Sequence, residues 1–89
     1  MKVIASNQFL KDLKLMKKRG YILKELDNVI DYLKNNISLP IKYKNHILIG
    51  NYSKFLECHI KSDWLLIYNF DLQGNVYLFR TGTHSDLFE

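Results

Sequence analysis

The chain has 89 residues, 47% of them hydrophobic and 25% charged, with a formal net charge of +4. Length and composition predict one domain spanning residues 1–89 with a single hydrophobic core, and they argue against an intrinsically disordered chain. The one cysteine excludes an intramolecular disulfide framework and a cysteine-rich zinc finger. Because no signal-peptide pattern follows Met1 and no run of about 18 apolar residues occurs, we expect a cytoplasmic protein that does not bind membranes.

The positive charge is concentrated in the N-terminal half of the chain. Residues 1–44 contain ten Lys and Arg against four Asp and Glu, whereas residues 45–89 contain three against five. A basic half on a small domain favours a polyanionic or acidic partner. Solvated faces of amphipathic helices would produce the same pattern, so charge alone leaves both interpretations open.

The N-terminal half has the pattern of a strand followed by two helices. Residues 2–5 are typical of a short strand, Ser6 or Asn7 is suited to cap the next helix, and Gly20 is suited to end it. A second helix is predicted from about residue 21 to residue 36. The residues predicted to face the core recur at helical spacing: Phe9, Leu13 and Met16 in the first helix, and Ile22, Leu26, Val29, Ile30 and Leu33 in the second.

After Pro40 the apolar period shortens toward 2, which is typical of strands. Residues 54–60 alternate, residues 63–70 predict a central strand buried on both faces, and residues 76–81 form the returning strand. Residues 46–50 fit either a strand or a loop. The predicted fold is α+β: β-α-α followed by an antiparallel β-meander, with the two N-terminal helices packed on one face of a twisted sheet.

A tight turn at Lys61-Ser62 would pair Ile60 with Asp63 and bring His59 close to Asp63 at one end of the sheet. Regular pleating would point His59 and Asp63 to opposite faces. A role shared by these two side chains therefore needs a β-bulge or a looser turn.

Three histidines, His46, His59 and His84, lie in the C-terminal half, and no common catalytic or cofactor motif accompanies them. Each alone is more typical of a hydrogen-bonded packing residue. Together they suffice for RNA transesterification, in which one group takes the proton of a ribose 2′-OH and another protonates the leaving 5′-oxygen. Arg80 could hold the phosphate. This chemistry needs no metal and no cofactor.

Two other chemical interpretations are weaker. A zinc site built from the three histidines and an aspartate lacks a close-set ligand pattern. Cys58 shares its strand register with Leu56 and Ile60, so it is predicted to be a buried packing residue rather than a nucleophile.

Aromatic side chains could provide surfaces on which RNA bases stack. Trp64, Tyr68 and Phe70 lie on the predicted central strand and are expected in the core instead. Phe88 fits either stacking on a base near His84 or capping the core.

Three segments resemble the YafQ branch of the RelE/ParE toxin superfamily: residues 43–50 (YKNHILIG), 57–68 (ECHIKSDWLLIY) and 80–88 (RTGTHSDLF). The likeness covers nearly the whole chain, including the lysine-rich first helix. It implies a RelE-like fold and a metal-independent ribonuclease that cleaves mRNA in the ribosomal A site. It also implies a cognate antitoxin, with the toxin monomeric when free and part of a hetero-oligomer when bound.

The resemblance assigns catalytic roles to His46, His59, Asp63 and His84. His84 would be the general acid that protonates the leaving oxygen. His46 and His59 would orient the phosphate and assist deprotonation of the 2′-OH. Asp63 would be a base or the carboxylate that fixes a histidine tautomer.

The resemblance also implies substrate-binding residues. Arg80 matches an arginine that contacts phosphate, and Phe88 matches an aromatic that stacks near the site. Lys54, on the same predicted strand face as Leu56, is expected to replace part of a phosphate contact that the family makes with an arginine at the Leu56 position. The chain departs from the family's usual residues at three places: Asn45-His46-Ile47 for Asp-His-Pro, Leu56 for Arg, and Ser62 for Pro.

Two non-enzymatic functions are possible on the same fold. One is inhibition of DNA gyrase in the manner of ParE toxins, which lack the histidine cluster. The other is RNA binding without cleavage, whose affinity would fall steeply with salt. The three histidines favour the nuclease over gyrase inhibition.

Overall fold

The computed structural model describes residues 2–48, residue 50 and residues 54–88. Within them the elements are, in chain order, β1 (Val3–Ala5), α1 (Asn7–Lys18), α2 (Lys24–Lys34), a 3-10 turn (Ile41–Tyr43), β2 (His46–Ile47), β3 (Leu56–Lys61), β4 (Trp64–Phe70), β5 (Val76–Gly82) and α3 (His84–Phe88).

The described strands form a five-stranded sheet in the order β1-β5-β4-β3-β2. β1 runs parallel to β5, and β2, β3, β4 and β5 form an antiparallel succession. This order confirms the predicted α+β fold with two helices followed by a meander. In the described part of the chain, no helix has the length and hydropathy needed to cross a bilayer.

Both predicted ends of α1 are confirmed. The Ser6 hydroxyl accepts a hydrogen bond from the Phe9 amide at 2.9 Å and caps the first turn. At the other end, the Gly20 amide donates to the Lys17 carbonyl and the Tyr21 amide to the Met16 carbonyl. This is the Schellman pattern, and Gly20 takes the left-handed backbone conformation that the pattern requires, with φ of 93°.

α2 begins at Lys24, three residues later than predicted. Because residues 20 and 21 are used to close α1, the chain cannot resume helical hydrogen bonding until after them. Ile22 was predicted to face the core but is 75% exposed, so that prediction is wrong. The later apolar positions are correct: Leu26, Val29 and Leu33 are buried and Ile30 packs against them.

The β3–β4 hairpin turns one residue later than predicted. Lys61 pairs with Trp64 across a turn at Ser62-Asp63, so the predicted pairing of Ile60 with Asp63 is wrong. A register shift between His59 and Lys61 accounts for the difference, because a bulge adds one unpaired residue to β3. The irregularity that a shared role for His59 and Asp63 requires is therefore present.

β3 begins at Leu56 rather than at residue 54. Lys54 lies in a turn with a left-handed backbone, φ 77°, which is incompatible with strand geometry. The prediction that Lys54 shares a strand face with Leu56 is therefore wrong.

The two helices and the sheet enclose the main core. The sheet face that α1 and α2 cover, named here the helix-covered face, carries apolar side chains: Cys58, Ile60, Trp64, Leu66, Tyr68, Val76 and Leu78. Trp64, Tyr68 and Cys58 are buried as predicted, and burial raises the pKa of the Cys58 thiol to about 12. Phe70 was predicted in the core but is 39% exposed, because it ends β4 beside the turn to β5.

The opposite face, named here the open face, has a smaller apolar cluster. Leu65, Ile67 and Leu87 are buried there, with Leu48, Phe55 and Phe79 packed against them. Leu87 belongs to α3, a helix of five residues that the sequence analysis did not predict. The open face is where the candidate site lies.

Candidate active site

Strand register places polar side chains from three strands in one row on the open face. His46 pairs with Glu57, Glu57 with Ile67, and Ile67 with Arg80. Directly paired residues of antiparallel strands point to the same face of a sheet. His46, Glu57 and Arg80 therefore lie along a line across the open face, and His59 follows Glu57 at the next position of β3 on that face.

Glu57 lies between two histidines. Its Oε1 atom is 3.1 Å from His46 Nε2 and 3.5 Å from His59 Nε2. The Glu57 side chain is only 5% exposed, whereas that of His46 is 49% exposed. A buried carboxylate is costly unless charge or hydrogen bonds compensate it, and the two imidazoles provide that compensation.

The second nitrogen of His46 also faces an oxygen. His46 Nδ1 lies 2.8 Å from the Lys44 carbonyl. Lys44 takes a left-handed conformation, φ 49°, at the end of the 3-10 turn, which directs this carbonyl at the ring. Because both ring nitrogens face acceptors, both contacts are attractive only when the ring carries two protons. A doubly protonated His46 would link the Lys44 carbonyl to Glu57.

His84 and Asp63 form a second pair. The Asp63 Oδ1 atom accepts from the His84 backbone amide at 3.1 Å and lies 2.8 Å from His84 Nδ1. The hydrogen bond from the His84 side chain is the main cause that lowers the pKa of Asp63 below its ordinary value. Since Nδ1 faces a carboxylate, it carries the proton, and Nε2 is the atom that can exchange a proton with substrate.

His59 joins the two pairs. Its ring centroid is 6.2 Å from that of His46 and 5.9 Å from that of His84. The Phe88 ring lies 6.1 Å beyond His84 and is 43% exposed. The structure thus brings the four residues predicted as catalytic into one continuous group, with Phe88 beside it.

Arg80 lies at the far end of the row and is oriented by α1. Its Nε and Nη2 atoms donate to the two Asp12 carboxylate oxygens at 2.8 and 3.1 Å. Asp12 is buried and also accepts from the Thr81 amide. β1 has ended before this point, so the Asp12 carboxylate takes the place of a neighbouring strand along the edge of β5. Lys54 lies outside this row, in the turn before β3.

Sequence reasoning missed Glu57 and the helix that carries His84. The signal for Glu57 was present, because it lies two residues before His59 and alternation places both on one face. The signal for α3 was the spacing of Thr83 and Asp86, which is that of a capping box.

These features agree with the comparisons to known proteins. The model of a family described as the bacterial toxin of a type II toxin–antitoxin system, YafQ, matches residues 1–89. The mRNA interferase toxin YafQ of Escherichia coli strain K12 is 40% identical over 85 residues, which cover 93% of this chain and 90% of that protein.

Solved structures show the same fold. YafQ from the Escherichia coli DinJ–YafQ complex is 36% identical with a TM-score of 0.90, covering 99% of this chain and 98% of that chain. A metal-bound toxin from Helicobacter pylori is 42% identical with a TM-score of 0.91, covering 99% of both chains.

Fold and site together define a type II toxin of the RelE superfamily. Within that superfamily, the chain belongs to the YafQ family.

Metal coordination has a specific geometric requirement. Across the described ranges of this chain, no group of three His, Cys, Asp or Glu side chains is arranged to hold a metal ion. The mechanism below uses side chains alone.

Proposed function

We propose that this chain, acting as one domain over residues 1–89, is the toxin of a type II toxin–antitoxin system. It cleaves mRNA on the ribosome, in the cytoplasm, as a metal-independent endoribonuclease. Family membership and the activity named for the Escherichia coli relative support the class of reaction. The observation that carries the mechanism is the succession of His46, His59 and His84 at ring spacings of about 6 Å on one open surface.

The reaction is attack of a ribose 2′-oxygen on the adjacent phosphorus with departure of the 5′-oxygen. The 2′-OH loses a proton, a 2′,3′-cyclic phosphate forms, the P–O5′ bond breaks, and the 5′-oxygen gains a proton. Attacking and leaving oxygens lie roughly in line through phosphorus, so the base and the acid must flank the phosphate. His59 and His84, adjacent but separately held, provide two such groups.

His84 is the general acid. Asp63 holds the proton on Nδ1, so the proton delivered to the 5′-oxygen comes from Nε2. Asp63 also stabilises the positive charge that His84 carries before the transfer.

His59 is the proton acceptor, and His46 holds Glu57 in position beside it. Both His46 nitrogens already face acceptors, the Lys44 carbonyl and the Glu57 carboxylate, so His46 has no further N–H group to donate to the phosphate. His59 becomes positively charged when it takes the 2′-OH proton, and the Glu57 carboxylate 3.5 Å from its Nε2 stabilises that charge. Glu57 is thus the shared carboxylate partner of His46 and His59.

Arg80 and Phe88 bind the RNA around the reacting phosphate. The fork to Asp12 fixes the Arg80 guanidinium plane at the end of the open-face row. Phe88, exposed and adjacent to His84, stacks on a base next to the scissile bond. Lys54 contributes at most general phosphate attraction from its turn.

A cognate antitoxin inhibits the toxin. The Escherichia coli relative of known structure is bound by DinJ, and we propose a corresponding partner for this chain. The free toxin is then a monomer and the inhibited toxin a hetero-oligomer. Ten basic side chains in the N-terminal half make an acidic antitoxin segment the matching partner, and its association rate should fall as salt is added.

Primer extension on a defined mRNA in a purified translation system tests the proposal. Wild-type protein should cut in the ribosomal A site, only when ribosomes are present, and His84→Gln should lose about 10²–10⁴ in rate while remaining folded. Absence of cleavage by folded, antitoxin-free protein would favour gyrase inhibition or RNA binding alone, and gyrase assays and salt-dependent RNA binding separate those two.

A substrate with a 5′-bridging sulfur at the cleavage site tests the assignment of acid and base. A thiolate leaves without protonation, so this substrate should restore most of the rate to His84→Gln. His59→Gln is the matched control and should not be restored. Equal rates of the two variants on both substrates would contradict the assignment.

A further inference from the structure

The N-terminus of α3 is linked to the C-terminus of α1 by one carboxylate. Asp86 Oδ2 lies 2.6 Å from Arg19 Nη1, and Asp86 Oδ1 lies 3.1 Å from Arg19 Nη2. The same Oδ2 accepts the Thr83 amide at 2.9 Å, while the Asp86 amide donates to the Thr83 hydroxyl at 3.2 Å. Asp86 thus belongs both to a reciprocal helix cap and to a two-point contact with Arg19.

α3 needs contacts outside itself. A helix of five residues is far below the length of about 12 at which isolated helices become even marginally stable. Its position is fixed by burial of Leu87 on the open face, by the pair of His84 with Asp63, and by the contact of Asp86 with Arg19. His84 is the first residue of this helix, so the orientation of α3 sets the direction of the His84 ring.

Close packing leaves Asp86 little freedom. A Cβ atom added at Gly82 would lie 2.9 Å from both the Cβ and the Oδ2 of Asp86. The end of β5 and the first turn of α3 are therefore closely packed, and any side chain at position 82 would collide with Asp86.

Arg19 is itself held in place. It is the C-cap residue of α1, its amide donates to the Leu15 carbonyl, and its Nη1 contacts the Met16 sulfur at 3.5 Å. Met16 is fully buried. The guanidinium is thus attached to a rigid helix end that packs on the core, unlike a mobile surface arginine.

We propose that Arg19 is a positioning residue, which holds α3 through Asp86 so that His84 keeps its contact with Asp63 and presents Nε2 to the substrate. The inference rests on the proposed role of His84 as general acid. An ion pair that is partly exposed contributes little to global stability, but a two-point arginine–carboxylate contact restricts orientation. Loss of Arg19 should therefore reduce the rate of cleavage more than it reduces folding.

Single-turnover cleavage with Arg19→Met tests this inference. We expect the rate at saturating ribosome concentration to fall about tenfold or more, with the half-saturation concentration within about twofold of wild type. Arg19→Lys, which keeps the charge but cannot form the two-point contact, should fall in between. Lys34→Met is the matched control, since it removes a basic side chain near the C-terminal end of α2 and should leave the saturated rate unchanged.

NMR of the His84 ring gives a readout that needs no ribosome. At a pH where the ring is neutral, the ring nitrogen signals of wild type should report a proton fixed on Nδ1. The Leu87 amide, which donates to the Thr83 carbonyl, should exchange slowly. In Arg19→Met the ring should report mixed tautomers and the Leu87 amide should exchange faster. A saturated rate and His84 signals both equal to wild type would overturn the inference.

The two proposals fail in different ways. If His84→Gln cleaves like wild type, the general-acid role is wrong, and the NMR signals of Arg19→Met still decide whether Arg19 positions His84. If Arg19→Met is not folded by circular dichroism, Arg19→Lys decides by the same two measurements. A rise in the half-saturation concentration alone, with the saturated rate unchanged, would assign Arg19 to ribosome binding and reject the positioning role.

Discussion

The two faces of the sheet are built from the same strands but differ in the polarity of their side chains. On the helix-covered face, Trp64, Leu66 and Tyr68 of β4 are fully or almost fully buried against α1 and α2. On the open face, the residues between them, Leu65 and Ile67, are equally buried, yet the neighbouring strands contribute His59, Glu57 and Arg80. The central strand β4 is thus apolar on both faces, whereas β3 and β5, which flank it, carry polar side chains on the open face.

This difference between the faces shows how a small domain can present a polar site and still keep a stable hydrophobic core. The polar side chains of the open face are paired with each other, with the backbone or, for Arg80, with Asp12 of α1. In the described part of the chain, no buried side-chain nitrogen or oxygen lacks a hydrogen-bond partner. Changes on the helix-covered face should therefore act on stability, and changes on the open face on catalysis. Each prediction below tests that separation.

Trp64→Ala should have the largest effect on stability. Trp64 is fully buried, its Nε1 donates to Thr81 Oγ1 at 2.8 Å, and its ring packs edge-on against Tyr21. Truncation of a buried Trp costs about 3–5 kcal/mol, a large part of the total stability of a domain of this size. Urea unfolding followed by circular dichroism should show the loss, and Phe70→Ala, at the exposed end of β4, is the control, with a loss below about 1 kcal/mol. Equal losses would contradict the assignment of the core.

Glu57→Gln should reduce cleavage by about 10²-fold while leaving the fold intact. The variant keeps the size of the side chain but removes the charge that stabilises positive histidines on the open face. Stability should be unchanged or slightly increased, because a buried carboxylate is replaced by a neutral group.

Glu25→Gln provides the control for that change. Glu25 accepts a hydrogen bond from the Tyr43 hydroxyl at 3.0 Å, away from the histidine row, and the amide oxygen of Gln can keep that bond. Its cleavage rate should equal that of wild type. Full activity of Glu57→Gln in the same assay would remove Glu57 from the mechanism.

Tyr68→Phe tests a hydrogen bond that links the helix-covered face to the residue just before β2. The Tyr68 hydroxyl belongs to the helix-covered face and donates to Asn45 Oδ1 at 2.6 Å, immediately before His46. Burial raises the pKa of Tyr68, so the hydroxyl stays a donor at all pH values of interest. We expect a stability loss of about 1 kcal/mol and a several-fold lower cleavage rate, since His46 loses an anchor. A stability loss with an unchanged rate would show that Asn45 does not position His46.

How far the sequence predicts this molecule depends on the range of the interactions involved. The α1 ends at Ser6 and Gly20 follow from local capping, and the buried central strand follows from its apolar run, so both are predicted correctly. The start of α2 and the turn at Ser62-Asp63 are wrong by one to three residues. Those errors arise because a Schellman closure and a β-bulge each use residues that periodicity alone assigns to the next element.

The candidate site shows the same limit. Sequence reasoning and the family resemblance name His46, His59, Asp63 and His84, and the fold brings these four together. Which partner each one has depends on register across the sheet, so the contacts of Glu57 with two histidines and of Asp63 with His84 could not be derived from spacing. Lys54 shows the opposite kind of error. It was predicted on the strand with Leu56, but its left-handed backbone places it in a turn before β3.

The smallest predicted effect is a pKa change in the turn of the β3–β4 hairpin. Asp63 has a lowered pKa, caused first by the His84 side chain and next by the His84 amide. A carboxyl whose folded-state pKa lies below its unfolded value of about 3.9 adds stability above that pH, and this contribution disappears as the pH falls through the folded-state pKa. In His84→Ala the side-chain contribution is lost and the amide remains, so the pKa of Asp63 should rise part of the way to its ordinary value.

Carbon-13 NMR titration of the side-chain carboxyls measures this change directly. Asp71 is an internal control in the same spectra, because its lowered pKa comes from the residues of its own turn, chiefly the Asn75 amide, at the opposite end of β4. Its titration should be the same in both proteins. If Asp63 titrates identically with and without the His84 ring, the Asp63–His84 pair does not form in solution. His84 would then lack the carboxylate that fixes its tautomer, and the separation between a structural and a chemical face would no longer explain why Asp63 lies in that turn.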